Sequence, residues 1–299
     1  MMAPRAGMHY YCLVASLGFL VAGRLLVAAL FLLSADTAPN DPIYIRPNAM
    51  ASYLSLAGFE GVHTSGRFVT AAIKLARSWR KRVPMGAQLQ YDMVLLVADP
   101  YGVLMRAQAL RDSGWKLVYV EPLYGRPSAE GYVFQNRYTH TAQFSKLHLW
   151  SLTGYRHIVY LDSDMLLVGD ATRAITPFLG EMRPDRVGMT EDTGGRSRYN
   201  AAMMLLMPSM HTYERMRAEV MRLGYDVEVQ EQGFLNAFFG NRTDGVVVLP
   251  KRLDEGVNNL TEACLVMHFI GELKAWSVCE GESKRAFARA CAAWDSYPG

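Results

Sequence analysis

The fold class of this chain is decided by the stretch His157-Ile158-Val159-Tyr160-Leu161-Asp162-Ser163-Asp164-Met165-Leu166-Leu167. Its apolar, β-branched and aromatic start predicts a buried strand. A parallel strand buried on both faces accepts charge only at its carboxyl end, where α/β proteins bind ligands. Asp162 and Asp164 would repel each other there unless a divalent cation lay between them, and such oxygen ligands suit Mg²⁺ or Mn²⁺. The alternative is a solvated turn, because Asp-x-Asp is frequent by chance.

Composition narrows the class of protein. The chain has 299 residues, of which 51% are hydrophobic and 20% charged, so it can bury a substantial core as one domain with a tail. A formal charge of +3 with scattered basic residues argues against nucleic acid as a partner. The dense basic run Arg77–Arg82 lies at the end of a predicted amphipathic helix. Cations interact favourably with the helix dipole at that end, so a solvated helix terminus is expected.

The N-terminal residues predict a targeting segment. Tyr10–Leu33 is almost wholly apolar and long enough to span a bilayer, although Arg24 near its middle costs ~2.5–3.5 kcal/mol on insertion scales. One interpretation is a signal anchor with Arg5 on the cytoplasmic side, and the other is a signal peptide cleaved near Ser34-Ala35. Both send the rest of the chain into the secretory pathway, and we favour the anchor.

Cysteines and glycosylation patterns agree with an oxidising lumen. Asn241-Arg242-Thr243 and Asn259-Leu260-Thr261 are N-glycosylation acceptor patterns. Cys279 and Cys291 could close a short disulfide loop, which leaves Cys264 as an odd thiol. The spacing of Cys264 and His268 hints at structural zinc, but no second closely spaced pair accompanies them.

The rest of the chain alternates strand and helix patterns. The predicted strands are Tyr91–Ala98, Lys116–Val120, His157–Leu161, Val187–Met189, Met203–Met207, Gly245–Leu249 and Leu265–Phe269. The predicted helices are Arg67–Arg82, Val103–Ser113, Thr141–Leu152, His211–Leu223 and Gln232–Phe239. This alternation predicts an α/β fold with a mostly parallel sheet and helices on both faces. We expect a targeting segment over residues 1–40 and one globular domain over 41–299.

Several separate stretches carry a resemblance to a known family. In order, they are Arg137 with Phe144–Leu152 around Lys146, Tyr160–Asp164, Asp192 with Tyr199–Ala202 around Asn200, Glu231–Asn236, and His268–Trp276. Together, over residues 90–276, they resemble retaining glycosyltransferases of family eight, and glycogenin-like enzymes in particular. The resemblance implies a GT-A fold, a Rossmann-like α/β domain that binds a nucleotide-sugar, usually a UDP-sugar, with Mn²⁺ or Mg²⁺.

The resemblance also assigns roles at the cation. Asp162, Asp164 and His268 would hold the metal, and Ser163 would lie near the ribose. Gly271 would let the backbone approach the diphosphate, and Lys274 would supply a point charge to a phosphate oxygen. For His268 the alternative is a satisfied core histidine. Metal and lysine would together stabilise the departing nucleotide diphosphate.

The remaining matched positions concern the donor sugar. The resemblance puts Lys146 and Arg137 beside the donor, and Asp192 and Asn200 at the sugar hydroxyls. Further expected donor contacts are Ala201, Glu228, Glu231 and Gln232. Gln232 matches a position close to the anomeric carbon, so Glu231 and Gln232 join Asp162, Asp164 and Lys274 as expected catalytic residues. Glu228 could equally be plain surface charge.

Three departures from the family pattern bear on function. The family usually has Asp-Gln where this chain has Glu231-Gln232, which could reshape the donor pocket. The first nucleotide-binding strand is not evident, and Ala57–Ser65 is the nearest region. The tyrosine on which glycogenin builds its own glucan has no counterpart before the His268 strand, so an external acceptor is expected.

The sequence therefore predicts a metal-dependent, retaining, membrane-anchored glycosyltransferase of the Golgi lumen. It would move a hexosyl or hexuronosyl group from a nucleotide-sugar to a glycan, glycoprotein or glycolipid. The anomeric configuration would be retained either by front-face substitution or through a covalent intermediate on Glu231. A carboxylate on the donor could pair with Arg196 or Arg198. The alternatives are a catalytically inactive nucleotide-sugar or glycan-binding relative, and a haloacid-dehalogenase-like phosphatase. A homodimer is allowed, and oligomeric state stays open.

Overall fold

A computed structural model describes residues 46–54, 62–98, 103, 106–126, 140–192, 195, 197–271 and 273–299. These residues all lie in one compact unit, Ile45–Gly299. Among them, no helix has the length and apolar character that crossing a bilayer requires. The apolar stretch Tyr10–Leu33 lies outside the described residues, so the predicted anchor and the 1–40 boundary stay predictions.

The described strands form a large sheet and a small one. The large sheet has the order β3-β2-β1-β4-β7-β6-β8, and the small one has the order β5-β10-β9. Their bounds are β1 Asn48–Leu54, β2 Tyr91–Val97, β3 Lys116–Tyr119, β4 His157–Leu161, β5 Met165–Leu167, β6 Val187–Glu191, β7 Tyr199–Leu206, β8 Val246–Val248, β9 Glu255–Gly256 and β10 Val266–His268. In the large sheet β7 runs antiparallel to both of its neighbours, while the other pairs are parallel. The mostly parallel sheet expected from the sequence is confirmed.

Helices cover the large sheet on both faces. They are α1 Val62–Arg82, α2 Met85–Gln88, α3 Ala107–Asp112, α4 Thr172–Ile175, α5 Met210–Glu219, α6 Gln230–Gly240, α7 Ala275–Val278 and α8 Ala288–Asp295, with 3₁₀ segments at His140–Ser151, Thr176–Glu181, Lys251–Leu253 and Gly281–Arg285. In β4, Val159 and Leu161 join the apolar cluster under α1, whereas Ile158 and Tyr160 join the cluster under α6. Alternate residues of one strand are thus buried in two separate cores, as a strand covered on both faces requires.

The sequence prediction missed three of the described strands, β1, β5 and β9, and of these β1, Asn48–Leu54, lies in the middle of the large sheet. It lies upstream of the region Ala57–Ser65, where α1 already begins at Val62. The segment Asn-Ala-Met-Ala-Ser-Tyr-Leu has no β-branched residue, so its composition does not indicate a strand. Pairing with β2 and β4 over its buried length overrides that weak local preference.

Strand order places the ligand crevice. The chain runs from β1 outward through β2 to β3 and then returns to β4 on the other side of β1. The carboxyl ends of β1 and β4 therefore flank the point where the order reverses, which is where such sheets bind ligands. Asp162 follows β4 directly, and its backbone N–H donates to the carbonyl of Ala202 at 2.8 Å.

Candidate functional site

Pairing in the small sheet brings His268 to the two aspartates. In antiparallel β5 and β10, His268 lies opposite Met165, the residue after Asp164. The Phe269 amide donates to the Asp164 carbonyl at 3.1 Å, which holds this register. One ligand atom each from Asp162, Asp164 and His268 lies within 4.8 Å of the others. The three residues that the sequence assigned to the cation are thus neighbours in space.

His268 is held from behind by a carboxylate that sequence reasoning missed. Its Nδ1 lies 2.9 Å from Asp254 Oδ1, while its Nε2 faces Asp164 Oδ1 at 3.6 Å. Burial alone would lower the pKa of His268, but the charges of Asp254 and Asp164 outweigh it and raise that pKa. Asp254 lies in the turn between the Lys251–Leu253 segment and β9, where no motif marks it.

The two oxygens of Asp164 differ, since one is paired with a lysine and the other has no hydrogen-bond donor among the described residues. Lys274, the residue before α7, donates through Nζ to Asp164 Oδ2 and to the Phe269 carbonyl. Asp164 Oδ1 is buried, and no residue in the described ranges donates a hydrogen bond to it. Burial alone would raise the pKa of Asp164, but Lys274 and His268 outweigh it and lower that pKa. An ionised, buried oxygen without a donor faces the imidazole.

Lys146 joins Asp162 to Glu231 inside the protein. Its Nζ lies 2.8 Å from Asp162 Oδ1 and 2.6 Å from Glu231 Oε1, and Tyr160 also donates its hydroxyl to Asp162 Oδ1. Lys146 is only 3% exposed. Burial alone would lower its pKa, but the two carboxylates raise the pKa of Lys146 above its ordinary value. Burial raises the pKa of Glu231, and the positive charge of Lys146 only partly opposes this shift.

A second polar network connects the start of α6 to β7. Gln232 donates through Nε2 to Asp192 Oδ2 at 3.3 Å and to Ser197 Oγ at 3.1 Å. Its Oε1 accepts from the Ala201 amide at 3.0 Å. Asn200 Oδ1 accepts from the Ala202 amide at 2.8 Å, so the side chain shapes the bulged start of β7. Four of the predicted donor residues therefore meet at one place, close in sequence to the carbonyl that holds Asp162.

The remaining predicted site residues are either buried, exposed or outside the described part of the chain. Ser163 is buried between the two aspartates, and Gly271 has φ +55°, a conformation that favours glycine. Glu228 is exposed, and its backbone amide donates to Asp226 Oδ1 at 2.9 Å. Arg137 and Arg196 lie outside the described residues, so their expected contacts stay predictions.

The donor set fits a divalent cation. Joined by the contacts above, Asp162, Asp164, Glu231 and Asp254 carry four negative charges when ionised, against two from Lys146 and Lys274. With a neutral imidazole, these described side chains leave two negative charges uncompensated. Two carboxylates and one imidazole with a free buried oxygen are suitable ligands for Mn²⁺ or Mg²⁺.

Comparison with known proteins gives sequence relatives and a shared fold. No protein-family model matches the chain. It is 24% identical over 190 residues to glycogenin-1 of Saccharomyces cerevisiae (strain YJM789), covering 54% of this chain and 31% of that protein. It is 27% identical over 229 residues to a putative UDP-glucuronate:xylan alpha-glucuronosyltransferase 5 of Arabidopsis thaliana, covering 72% and 35%. The chain thus spans about a third of the length of these relatives.

Among solved structures, the galactosyltransferase LgtC in complex with donor and acceptor sugar analogs superposes with a TM-score of 0.51. That match is 16% identical in sequence and covers 84% of this chain and 96% of LgtC. At this identity the likeness shows the fold alone. By sequence the chain is similar to glycogenin and to a plant glucuronosyltransferase, and its fold is the GT-A fold.

Proposed function

We propose that this protein is a metal-dependent retaining glycosyltransferase. It transfers a hexosyl or hexuronosyl group from a nucleotide-sugar, by preference a UDP-sugar, to an external carbohydrate, glycoprotein or glycolipid. The observation that carries the proposal is the cluster of Asp162, Asp164 and His268 within 4.8 Å, with Lys274 against Asp164. The cluster lies at the carboxyl end of β4, where sheets of this topology bind ligands.

The chemistry needs negative charge to be stabilised on the leaving diphosphate. A divalent cation held by Asp162, Asp164 and His268 would neutralise part of that charge. Lys274 adds an ammonium group beside Asp164, which would donate to a phosphate oxygen of the bound donor. Lys146 keeps Asp162 in place from the protein side, because its ammonium group also binds Glu231.

Front-face substitution agrees better with the arrangement than a covalent intermediate. Glu231 Oε1 is engaged by Lys146 at 2.6 Å, and Glu231 is buried. Gln232 already binds Asp192, Ser197 and Ala201 through both ends of its amide, so it shapes the sugar pocket. In the proposed step, the acceptor oxygen bonds to the anomeric carbon as the bond to diphosphate breaks. The acceptor proton passes to a diphosphate oxygen.

We also propose that the protein works in the secretory pathway, as a Golgi membrane protein with its catalytic domain in the lumen. The apolar stretch Tyr10–Leu33 supports this compartment. So does the disulfide between Cys279 and Cys291, since such bonds persist in oxidising compartments. Asn241 and Asn259 of the two glycosylation patterns are both exposed.

Donor hydrolysis tests the proposed activity without knowledge of the acceptor. A panel of nucleotide-sugars with Mn²⁺ should reveal one preferred donor, and chelation of the metal should abolish its hydrolysis. Asp164→Ala should lose nearly all metal-dependent turnover, since it removes the free oxygen that faces His268.

Asp185→Asn is the matched control, because Asp185 forms a partly exposed surface pair with Arg242 at 3.0 Å. It should retain the parent rate. Unchanged metal-dependent turnover in Asp164→Ala would refute the assignment. Binding of UDP and Mn²⁺ without hydrolysis or transfer of any donor would instead indicate an inactive binding relative.

A further inference from the structure

The side chain of Asp254 contacts His268 on the face away from Asp162 and Asp164. Its Oδ1 lies 2.9 Å from His268 Nδ1, and its Oδ2 accepts from the Thr190 hydroxyl at 2.9 Å. The Asp254 side chain is 4% exposed. Both carboxylate oxygens therefore have partners that come from two different strands, β10 and β6.

The charge of Asp254 is not balanced by a lysine or arginine of the described part of the chain. Among the described residues, no lysine or arginine pairs with this carboxylate, and its side-chain partners are the His268 ring and a neutral hydroxyl. A buried carboxylate without a compensating charge is costly. The cost is offset if the positive charge lies beyond the imidazole, where Asp162 and Asp164 converge.

The geometry of the ring specifies what Asp254 does. An ionised carboxylate accepts hydrogen bonds only, so His268 donates Nδ1–H to Asp254. In the neutral ring Nε2 then carries a lone pair, and this is the atom that faces Asp164 Oδ1 at 3.6 Å. A carboxylate behind a ligating histidine fixes the tautomer and the ring orientation in metal sites generally.

We propose that Asp254 is a positioning residue that prepares His268 to bind the metal, and that Thr190 holds Asp254 in turn. The inference rests on the proposed metal-dependent function. It adds a dependence of the metal site on β6, because Thr190 lies at the β-bulge where β6 changes register against β7. Asp192, which contacts Gln232, follows two positions along the same segment.

The test is Mn²⁺ affinity of the full chain, measured by electron paramagnetic resonance with and without UDP. Asp254→Asn keeps the size of the side chain, but its amide can donate to Nδ1 and so shift the ring proton to Nε2. We expect about 10- to 100-fold weaker Mn²⁺ binding in this variant. Asp254→Glu, which restores an acceptor, should recover part of the affinity.

Glu255→Gln is the matched control for loss of a buried carboxylate in the same segment. Glu255 is 3% exposed and binds the amide and hydroxyl of Thr261, away from the metal ligands. The Glu255→Gln substitution should lower the unfolding temperature and leave the Mn²⁺ affinity unchanged. Equal Mn²⁺ affinity in folded Asp254→Asn and the parent would overturn the inference, as would an equal loss in Glu255→Gln.

Two further outcomes are separable. If Asp254→Asn does not fold, Thr190→Val decides, since it removes the hydrogen bond from the Thr190 hydroxyl to Asp254 and should weaken Mn²⁺ binding roughly threefold. Equal affinity there would contradict the inference. If the parent itself bound no Mn²⁺, with or without UDP, the proposed metal-dependent function would fail before the role of Asp254 was reached.

Discussion

At the scale of single residues, the site depends on charges that are buried but paired. Lys146 is the clearest case, since its ammonium group lies between Asp162 and Glu231 with almost no solvent contact. The same lysine thus holds two carboxylates with different expected roles. Asp162 is an expected metal ligand, and Glu231 is the candidate nucleophile of the alternative mechanism. Buried pairs of this kind add little net stability, but removing one partner leaves an uncompensated charge.

Replacing Lys146 by methionine should therefore be strongly destabilising. We expect a loss of about 3–5 kcal/mol in the free energy of unfolding, because Asp162 and Glu231 then lack their shared cation. Urea denaturation followed by circular dichroism measures it. Lys284→Met is the control, since the pair of Lys284 with Asp295 at 2.7 Å is exposed and should contribute at most about 1 kcal/mol. Similar losses in both variants would contradict this account.

His148 supplies a pH-dependent contribution away from the site. Its Nε2 lies 2.8 Å from the Glu121 carbonyl, and its Nδ1 accepts from the Tyr213 hydroxyl at 2.8 Å, as a neutral ring does. Burial, the largest influence, lowers the pKa of His148, and Arg217 adds to this while the Glu121 carbonyl opposes it. The unfolded chain therefore takes up the proton first as pH falls.

Stability from His148 should be full above about pH 6.5 and lost as pH falls towards the folded pKa, at no more than about 1.4 kcal/mol per pH unit. His148→Gln should therefore show a smaller drop in unfolding free energy between pH 7.5 and pH 5.5 than the parent. His211→Gln, at an exposed position at the start of α5, serves as control and should keep the parent's drop. A full parental drop in His148→Gln would show that another group is responsible.

At the scale of elements, α6 determines where Glu231 and Gln232 lie. Its first turn packs so closely on the preceding loop that a Cβ on Gly233 would approach the Asp226 carbonyl oxygen to 2.2 Å. Gln230, just before Glu231, has φ +54°, which is unusual for a residue with a side chain. Asn236, one turn on, clamps the first residue of β7 by accepting from the Tyr199 amide at 2.9 Å and donating to its carbonyl at 2.8 Å.

Gly233→Ala should displace this first turn. We expect about 1–3 kcal/mol of destabilisation from overpacking, together with a reduced rate of donor hydrolysis because Glu231 and Gln232 move with the helix. Gly86→Ala in α2 is the control, since a Cβ there has open space and should be neutral or stabilising by up to about 1 kcal/mol. If the two variants had the same stability and donor-hydrolysis rate, the close packing of α6 would not matter.

At the scale of the whole molecule, the C-terminal helices support the side of the site that contains His268 and Lys274. α7 and α8 are joined by the Cys279–Cys291 disulfide and pack with Leu166, Met267 and Phe269 in a third apolar cluster. The buried ammonium group of Lys74 in α1 donates to the Trp294 carbonyl at 2.8 Å, which ties the C-terminal segment to the main domain. Lys274 directly precedes Ala275, which belongs to this cluster. Its position therefore depends on the last part of the chain.

The proposed compartment makes a prediction about the mature protein. Expressed in a eukaryotic secretory pathway, it should carry N-glycans at the exposed Asn241 and Asn259 and have Cys279 and Cys291 blocked to maleimide until reduced. Glycosidase treatment should shift its mobility, and Asn241→Gln with Asn259→Gln should abolish that shift. A glycan-free chain whose three cysteines beyond Cys12 all react before reduction would place the protein elsewhere.

Local patterns were sufficient for much of the fold, and the family resemblance named the three residues that cluster at the end of β4. His157–Leu161 is predicted and observed over the same residues, because a run of apolar and β-branched residues indicates a buried strand without knowledge of its neighbours. The pairing of Cys279 with Cys291 is confirmed as well. Strand β1 was not predicted, because its small residues do not favour a strand locally. It forms a strand only because it pairs between β2 and β4.

The sequence by itself determined the alternation of strands and helices, the carboxylate pair that follows β4, the histidine that ends β10 and the lysine beyond it. Tertiary structure decided which side chains surround them. Asp254 is 14 residues from His268 and 64 from Thr190, and Lys146 is 85 residues from Glu231. Periodicity reports on neighbours within a few residues, whereas these contacts arise only when strand register and helix packing bring remote segments together.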